Sequence, residues 1–241
     1  MVESLIRGSN ASTQVSHPYY PLGVIVDNYV TNTIPAPVLV LIFAVGTLAI
    51  FGGTHLVIKH SRLNIPPSEV AATMWFVLCG FIHLFFEGYL SVNFRDVAGR
   101  SDIFGQLWKE YSLSDSRYLL QDPFVVCMET VTAFIWGPMS FACAYCIIKD
   151  HPLRHPLQSI ISLGQLYGDI LYFATTSFNE TIAQIISCRP ETFYFWFYYV
   201  FFNAWWIVIP LLLVLHSSKE TAASFTKVKA LEKENGIRKN L

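Results

Sequence analysis

VLVLIFAVGTLAIFGGTHLVI, residues 38–58, is a run of 21 residues without a charged side chain, inside an uncharged stretch that lasts from Asp27 to Lys59. A helix that crosses the ~30 Å hydrocarbon core of a bilayer needs about 20 predominantly apolar residues. The run therefore reads as a transmembrane helix. Four more segments of similar character follow, at 70–92, 124–148, 157–176 and 193–215, the last aromatic-rich at its start. The sequence predicts an all-α, polytopic membrane protein, a bundle of five transmembrane helices. It divides into an N-terminal segment (1–37), a five-helix domain (38–218) and a charged tail (219–241) that reads as a short solvated helix. Residues 103–112 (IFGQLWKEYS) are amphipathic and read as an interfacial helix.

Composition agrees. Of 241 residues, 53% are hydrophobic and only 14% charged, against about 25% charged in a soluble domain. Mean hydropathy is +0.43. A net charge of −1 gives no footprint for nucleic acid. Five cysteines do not make a disulfide scaffold. Cys79, Cys127, Cys143 and Cys146 fall in spans, where a thiol is a small apolar group, and Cys188 falls in a loop without an evident partner. The first 27 residues lack the apolar core of a signal peptide.

Five spans put the termini on opposite sides. With the C-terminus cytosolic, that side holds ten Lys and Arg and the other six, as the positive-inside rule prefers. The sequons at Asn10 and Asn179 then both face the lumen. The end Arg238-Lys239-Asn240-Leu241 loosely matches a dibasic endoplasmic-reticulum retrieval signal.

Three spans each carry a carboxylate: Glu87, Glu129 and Asp169. A charge at mid-bilayer costs about 2.5–3.5 kcal/mol on insertion scales, so such groups usually face a cavity and serve function. His83 lies four residues before Glu87 and shares its helix face. Gln165 stands in the same relation to Asp169, and Thr132 lies one turn beyond Glu129. Tyr199, Asn203 and Trp206 share a face of the fifth span. Polar stripes on four helices could converge on one pocket. For Gln165, Asp169 and Thr132, interhelical hydrogen bonds that hold the bundle are an open alternative.

Two acid/base stations in a dry cavity can deliver a proton at one carbon and remove one from another. A tryptophan face stabilises a cation, by about 2 kcal/mol or more when desolvated. Such parts suit rearrangement of a lipophilic alkene through a carbocation, with no cofactor and no metal. The seven histidines include one H-x-x-x-H pair, His151 and His155, which is too few for the multi-histidine iron boxes of membrane enzymes. Its flanking prolines make it a turn. No P-loop, dinucleotide glycine pattern, nucleophile elbow or HExxH occurs.

CGFIHLFFEGY (79–89), QLWKEYSLSDSRYLLQDPFVVCMETVTAFIWGP (106–138), HPLR (151–154), GQLYGDILYF (164–173) and FYFWFYYVFFNAWWIVIP (193–210) strongly resemble the emopamil-binding protein family, the sterol Δ8-Δ7 isomerases. The resemblance implies a five-helix protein of the endoplasmic-reticulum membrane that moves a sterol ring double bond from C8–C9 to C7–C8 without a cofactor. It also implies a pocket for cationic amphiphilic drugs, whose protonated amine mimics the carbocation. It places the family's acid/base positions on His83, Glu87 and Glu129. Its supporting threonine falls on Thr132, and its cation-facing residues on Asn203 and Trp206. Tyr111 and Tyr118 fall where the pocket mouth is expected.

The expected partners are a sterol from the bilayer, cationic amphiphiles and lipid. A homodimer through one membrane face is left open. A non-catalytic sterol- or amine-binding protein of the same fold, and a proton-coupled transporter, are the competing readings. The absence of internal repeats counts against the transporter.

Overall fold

The computed structural model describes residues 16–61 and 64–239, so Arg7, the Asn10 sequon, Arg62, Asn240 and Leu241 lie outside the described residues. Helix α1 (Ala36–Ser61) covers the opening run. Helix α2 (Pro67–Asn93) begins with prolines at its first turn, where a missing N–H costs nothing. After the short α3 (Ile103–Tyr111) come α4 (Pro123–Ile148) and α5 (Arg154–Thr181). Helix α6 consists of a π-helical stretch, Tyr194–Phe201, continued by Phe202–Lys239. No strand occurs among the described residues.

Helices α1, α2, α4 and α6 are long and apolar enough to cross a bilayer. The fourth predicted span is different. It lies in α5, a 28-residue helix of lower hydropathy. The cause is its inward stripe: Gln158, Ser162, Gln165, Asp169 and Thr176 are buried, while Ile160, Leu163, Tyr167 and Ile170 face outward. Helix α1 is the reverse case, with only Leu39, Thr54 and Ile58 buried. Its remaining apolar surface suits contact with lipid rather than protein.

Helix α2 packs along α4, and α5 along α6, with α1 laid against α2 and α3. Gly137 permits the close approach of α2 and α4: a Cβ there would stand 3.0 Å from the Leu84 backbone nitrogen. At one end Arg154, which opens α5, reaches Glu69 in the first turn of α2 at 2.6 Å. The tail is not a separate helix, because α6 runs unbroken through Pro210 to Lys239, exposed beyond Ser217 up to residue 236 apart from half-buried Thr221.

Residues 16–35 form a strap over the opposite end. A turn at Pro21–Val24 requires a positive φ at its third residue, supplied by Gly23 (φ 83°). The strap fastens to α3, which is less interfacial than its sequence suggests. Gln106 Oε1 accepts from the amides of Thr33 and Ile34, and Lys109, 1% exposed, donates from Nζ to Val30 O at 2.6 Å. Burial lowers the pKa of the Lys109 amine, with the Asp102 charge opposing. Cys188 is buried, although its loop position gave no evident partner. Its Sγ lies 3.3 Å from Arg189 O, and burial pushes its thiol up to about 12.

Val30 N donates to Ala98 O, and a Cβ on neighbouring Gly99 would stand 2.9 Å from the Asn28 carbonyl oxygen. Backbone cannot yield there as a flexible side chain can. Gly99→Ala is therefore expected to weaken docking of the strap by about 1–3 kcal/mol. Limited proteolysis of the purified protein checks this: cleavage within residues 16–35 should be faster than in the wild type.

Candidate active site

A cavity of about 510 Å³ lies inside the bundle, with Leu107, Trp108, Glu110 and Tyr111 of α3 forming its wall at one end. All eight residues singled out in the sequence as site residues line it: His83, Glu87, Glu129, Thr132, Asn203, Trp206, Tyr111 and Tyr118. Gln165 and Asp169 line it as well, whereas Tyr199 packs outside it against Tyr172 and Phe173.

The helices are not regular where they carry these groups. Ile82–Glu87 and Thr132–Trp136 are π-helical, and Tyr194–Phe201 leads directly to Asn203. π-Helical turns are rare and recur at functional sites. In the first of these stretches His83 Nδ1 lies 2.9 and 2.8 Å from the two Glu87 oxygens. On the other side of the ring, Gln165 Nε2 lies 2.9 Å from His83 Nε2. An amide nitrogen only donates, so in this arrangement Nε2 accepts and Nδ1 carries the proton to Glu87. Helix α5 thereby contacts, through Gln165, the histidine on α2. The spacing of Gln165 and Asp169 marked a polar face in the sequence. Nothing in it showed that Gln165 would meet His83.

Glu129, buried, sits on α4 one turn before the π-helical stretch. The Thr132 hydroxyl donates to Met128 O at 2.7 Å, so its lone pairs are what it offers the cavity. Asn203 Nδ2 donates to Tyr111 Oη at 2.9 Å and Tyr199 O at 2.7 Å. Those two contacts occupy the nitrogen end of the amide. The Trp206 ring lies 6.2 Å from the His83 ring and 5.3 Å from Trp75.

Tyr111 and Tyr118 line the cavity and pack on each other and on Trp108, itself stacked on Phe86 at 4.4 Å. Sequence reasoning missed Glu110, which lines the capped end and accepts from Tyr198 Oη at 3.0 Å. Burial raises its pKa, opposed by that hydrogen bond and by Arg189. Its place in an amphipathic segment made it look like solvent-facing charge.

Polar groups are few and convergent, and the rest of the lining is aliphatic or aromatic. Among the described residues no cluster of His, Cys, Asp and Glu has metal-binding geometry. His151 and His155 lie at the other end, where His151 Nδ1 accepts from Leu153 N and His155 approaches Ser217.

The chain is 41% identical over 213 residues to the 3-beta-hydroxysteroid-Delta(8),Delta(7)-isomerase of Mus musculus, covering 86% of this chain and 90% of that protein. The proteins of the same name from Cavia porcellus and Rattus norvegicus are 36% and 42% identical, over 88% and 66% of this chain and 92% and 70% of theirs. The EXPERA (EXPanded EBP superfamily) family model matches residues 103–217. The chain belongs to the EBP family. It is an isomerase and a membrane protein, and the family model runs through α3, α4, α5 and the start of α6, which line the cavity together with α1 and α2.

Proposed function

We propose that this isomerase shifts a sterol double bond from C8–C9 to C7–C8, as a step of sterol biosynthesis in the endoplasmic-reticulum membrane. The observation that carries the reading is the convergence, in one apolar cavity, of two carboxylates and a histidine held between Glu87 and Gln165. Two bare anions beside a neutral imidazole would be uncompensated in that setting. A proton shared among His83, Glu87 and Glu129 is then the one available to the substrate.

The proton is delivered to C9. The π electrons of C8=C9 form the new C9–H bond and leave positive charge at C8. Trp206 presents an aromatic face to that charge. Asn203, with its nitrogen engaged by Tyr111 and Tyr199, presents the negative end of its amide. A deprotonated member of the set removes a proton from C7, and those electrons become C7=C8. Protons balance and no oxidant or reductant is used. The His83–Glu87 pair and Glu129 are the two stations, and the coupled pair titrates as a unit.

A protonated amine would occupy the place of the C8 charge, which makes cationic amphiphiles competitive ligands. Helix α5 serves as the fifth crossing, its polar stripe turned to the cavity and its outward face apolar. The N-terminus is then lumenal and the C-terminus cytosolic, which puts Asn179, in the last turn of α5, on the lumenal side.

Purified protein in lipid nanodiscs, given a Δ8-sterol and no added nucleotide or metal, tests the reading. Conversion to the Δ7-sterol, blocked by an amine amphiphile, is expected. Saturable amine binding without conversion would instead make the protein a non-catalytic binder of the same fold.

A further inference from the structure

Asp169 is a buried acid for which the proton steps above have no use. It lies on α5, lines the cavity and is 8% exposed. Its Oδ2 atom is buried with no hydrogen-bond partner, and no Lys or Arg pairs with it among the described residues. A carboxyl group at such a place without a partner is costly, and buried polar groups are nearly always satisfied.

The rest of the α5 stripe is accounted for differently. Gln158 donates to Leu213 O, and Thr176 is held by Arg117 and by Tyr172 O. Gln158 Oε1 and Ser162 Oγ also lack partners, but neither residue lines the cavity. Gln165 does, and its amide nitrogen reaches His83, while its Oε1, like Asp169 Oδ2, is buried without a partner. Of these two cavity-lining acceptors without a donor, Asp169 is the carboxyl group and the stronger acceptor.

Its position has a scale. Gln165 touches His83, and Asp169 is four residues further along the same helix face, about 6 Å toward the capped end. In a sterol nucleus the C3 hydroxyl stands off the C8–C9 bond by the width of two fused rings, also about 6 Å, close to four residues of helix rise.

We propose that Asp169 forms a hydroxyl-recognition subsite, accepting a hydrogen bond from the 3β-hydroxyl of the sterol while C8 and C9 lie at the His83, Glu87 and Glu129 stations. The assignment rests on the isomerase reading for its substrate class. The subsite takes a neutral alcohol donor. The cation site, by contrast, lies beside Trp206.

The test compares a Δ8-3β-hydroxysterol with its 3-keto analogue, which keeps the ring shape but has no hydroxyl to donate. Equilibrium binding of both radiolabelled sterols, together with KM and kcat, is measured on the full chain in nanodiscs. Wild-type protein should bind the alcohol about tenfold or more tightly than the ketone, the difference expected for one hydrogen bond to a carboxylate. Asp169→Leu should bring the alcohol down to the level of the ketone, through KM rather than kcat, and leave ketone binding unchanged.

Asp169→Asn gives a gain that a misfolded protein cannot imitate. Its amide can donate to a ketone, so ketone binding should improve several-fold while the alcohol still binds. Equal binding of alcohol and ketone by the wild type would overturn the subsite. So would equal weakening of both sterols by Asp169→Leu, or no improvement for the ketone in Asp169→Asn. If the wild type discriminates as described but forms no Δ7 product, the subsite stands and the catalytic reading falls. Turnover without discrimination means the reverse.

Discussion

Glu129→Gln and Glu87→Gln are each expected to abolish conversion of a Δ8-sterol while the amount of folded protein stays normal. A glutamine keeps the size of the side chain and its hydrogen-bonding oxygen but cannot carry a transferable proton. Removal of a positioned acid or base typically costs about 10²–10⁴-fold in rate. Here both stations serve one turnover, so either loss stops it. Glu87 also accepts from His83 Nδ1; a glutamine oxygen can still accept there, so the imidazole keeps its place and the loss is chemical. Turnover assays on matched amounts of purified variants check this. Wild-type rates in either variant would remove that residue from the proton path.

The second large effect concerns stability. Asp115 and Arg117 are both buried, with side chains 1% and 5% exposed, and form a fork in which Arg117 Nε and Nη2 reach the Asp115 oxygens at 3.0 and 2.7 Å. Arg117 Nη1 also donates to Thr175 Oγ1 at 2.9 Å, and its guanidinium lies 5.0 Å from the Tyr172 ring. Burial works against the guanidinium charge, but Asp115 more than compensates and raises its pKa. This pair ties the loop after α3 to the last turns of α5, beside the cavity. Arg117→Met leaves the Asp115 carboxylate buried without its cation, a loss of about 3–5 kcal/mol. Thermal unfolding in detergent should show a large drop in Tm, and adding Asp115→Leu should restore much of it, because the uncompensated charge is then gone. An unchanged Tm in the single variant would mean that the pair does not hold the cap.

Much of this architecture was legible in the sequence because a bilayer imposes a simple rule. Long apolar runs became α1, α2 and α4, with ends a few residues from those expected, and α6, which starts at Tyr194 as expected but continues past residue 215 to Lys239. The carboxylates stood out because charges are rare in such runs, and the four-residue spacing of His83 and Glu87 became a contact. The polar stripe of α5 was also readable, although the same stripe lowers its hydropathy below that of a typical span.

Other features carried no sequence signal. An apolar run has the same composition whether its turns are α or π, so the widened turns at Ile82–Glu87 and Thr132–Trp136 were invisible. Lys109 and Glu110 looked like the wet face of an interfacial helix. They are instead satisfied by Val30 O and Tyr198 Oη, partners 79 and 88 residues away in the chain. Long-range partnerships of that kind do not show in local periodicity. The Gln165 contact with His83, across 82 residues, is of the same type.

The central claim is that protonation at C9 and deprotonation at C7 occur in one turnover. The most direct measurement incubates the purified protein with a Δ8-sterol in heavy water and analyses the product by gas chromatography–mass spectrometry. A Δ7-sterol with one deuterium, located at C9, is the expected product. A Δ7-sterol without deuterium, or with the label elsewhere, would contradict the proton path through His83, Glu87 and Glu129.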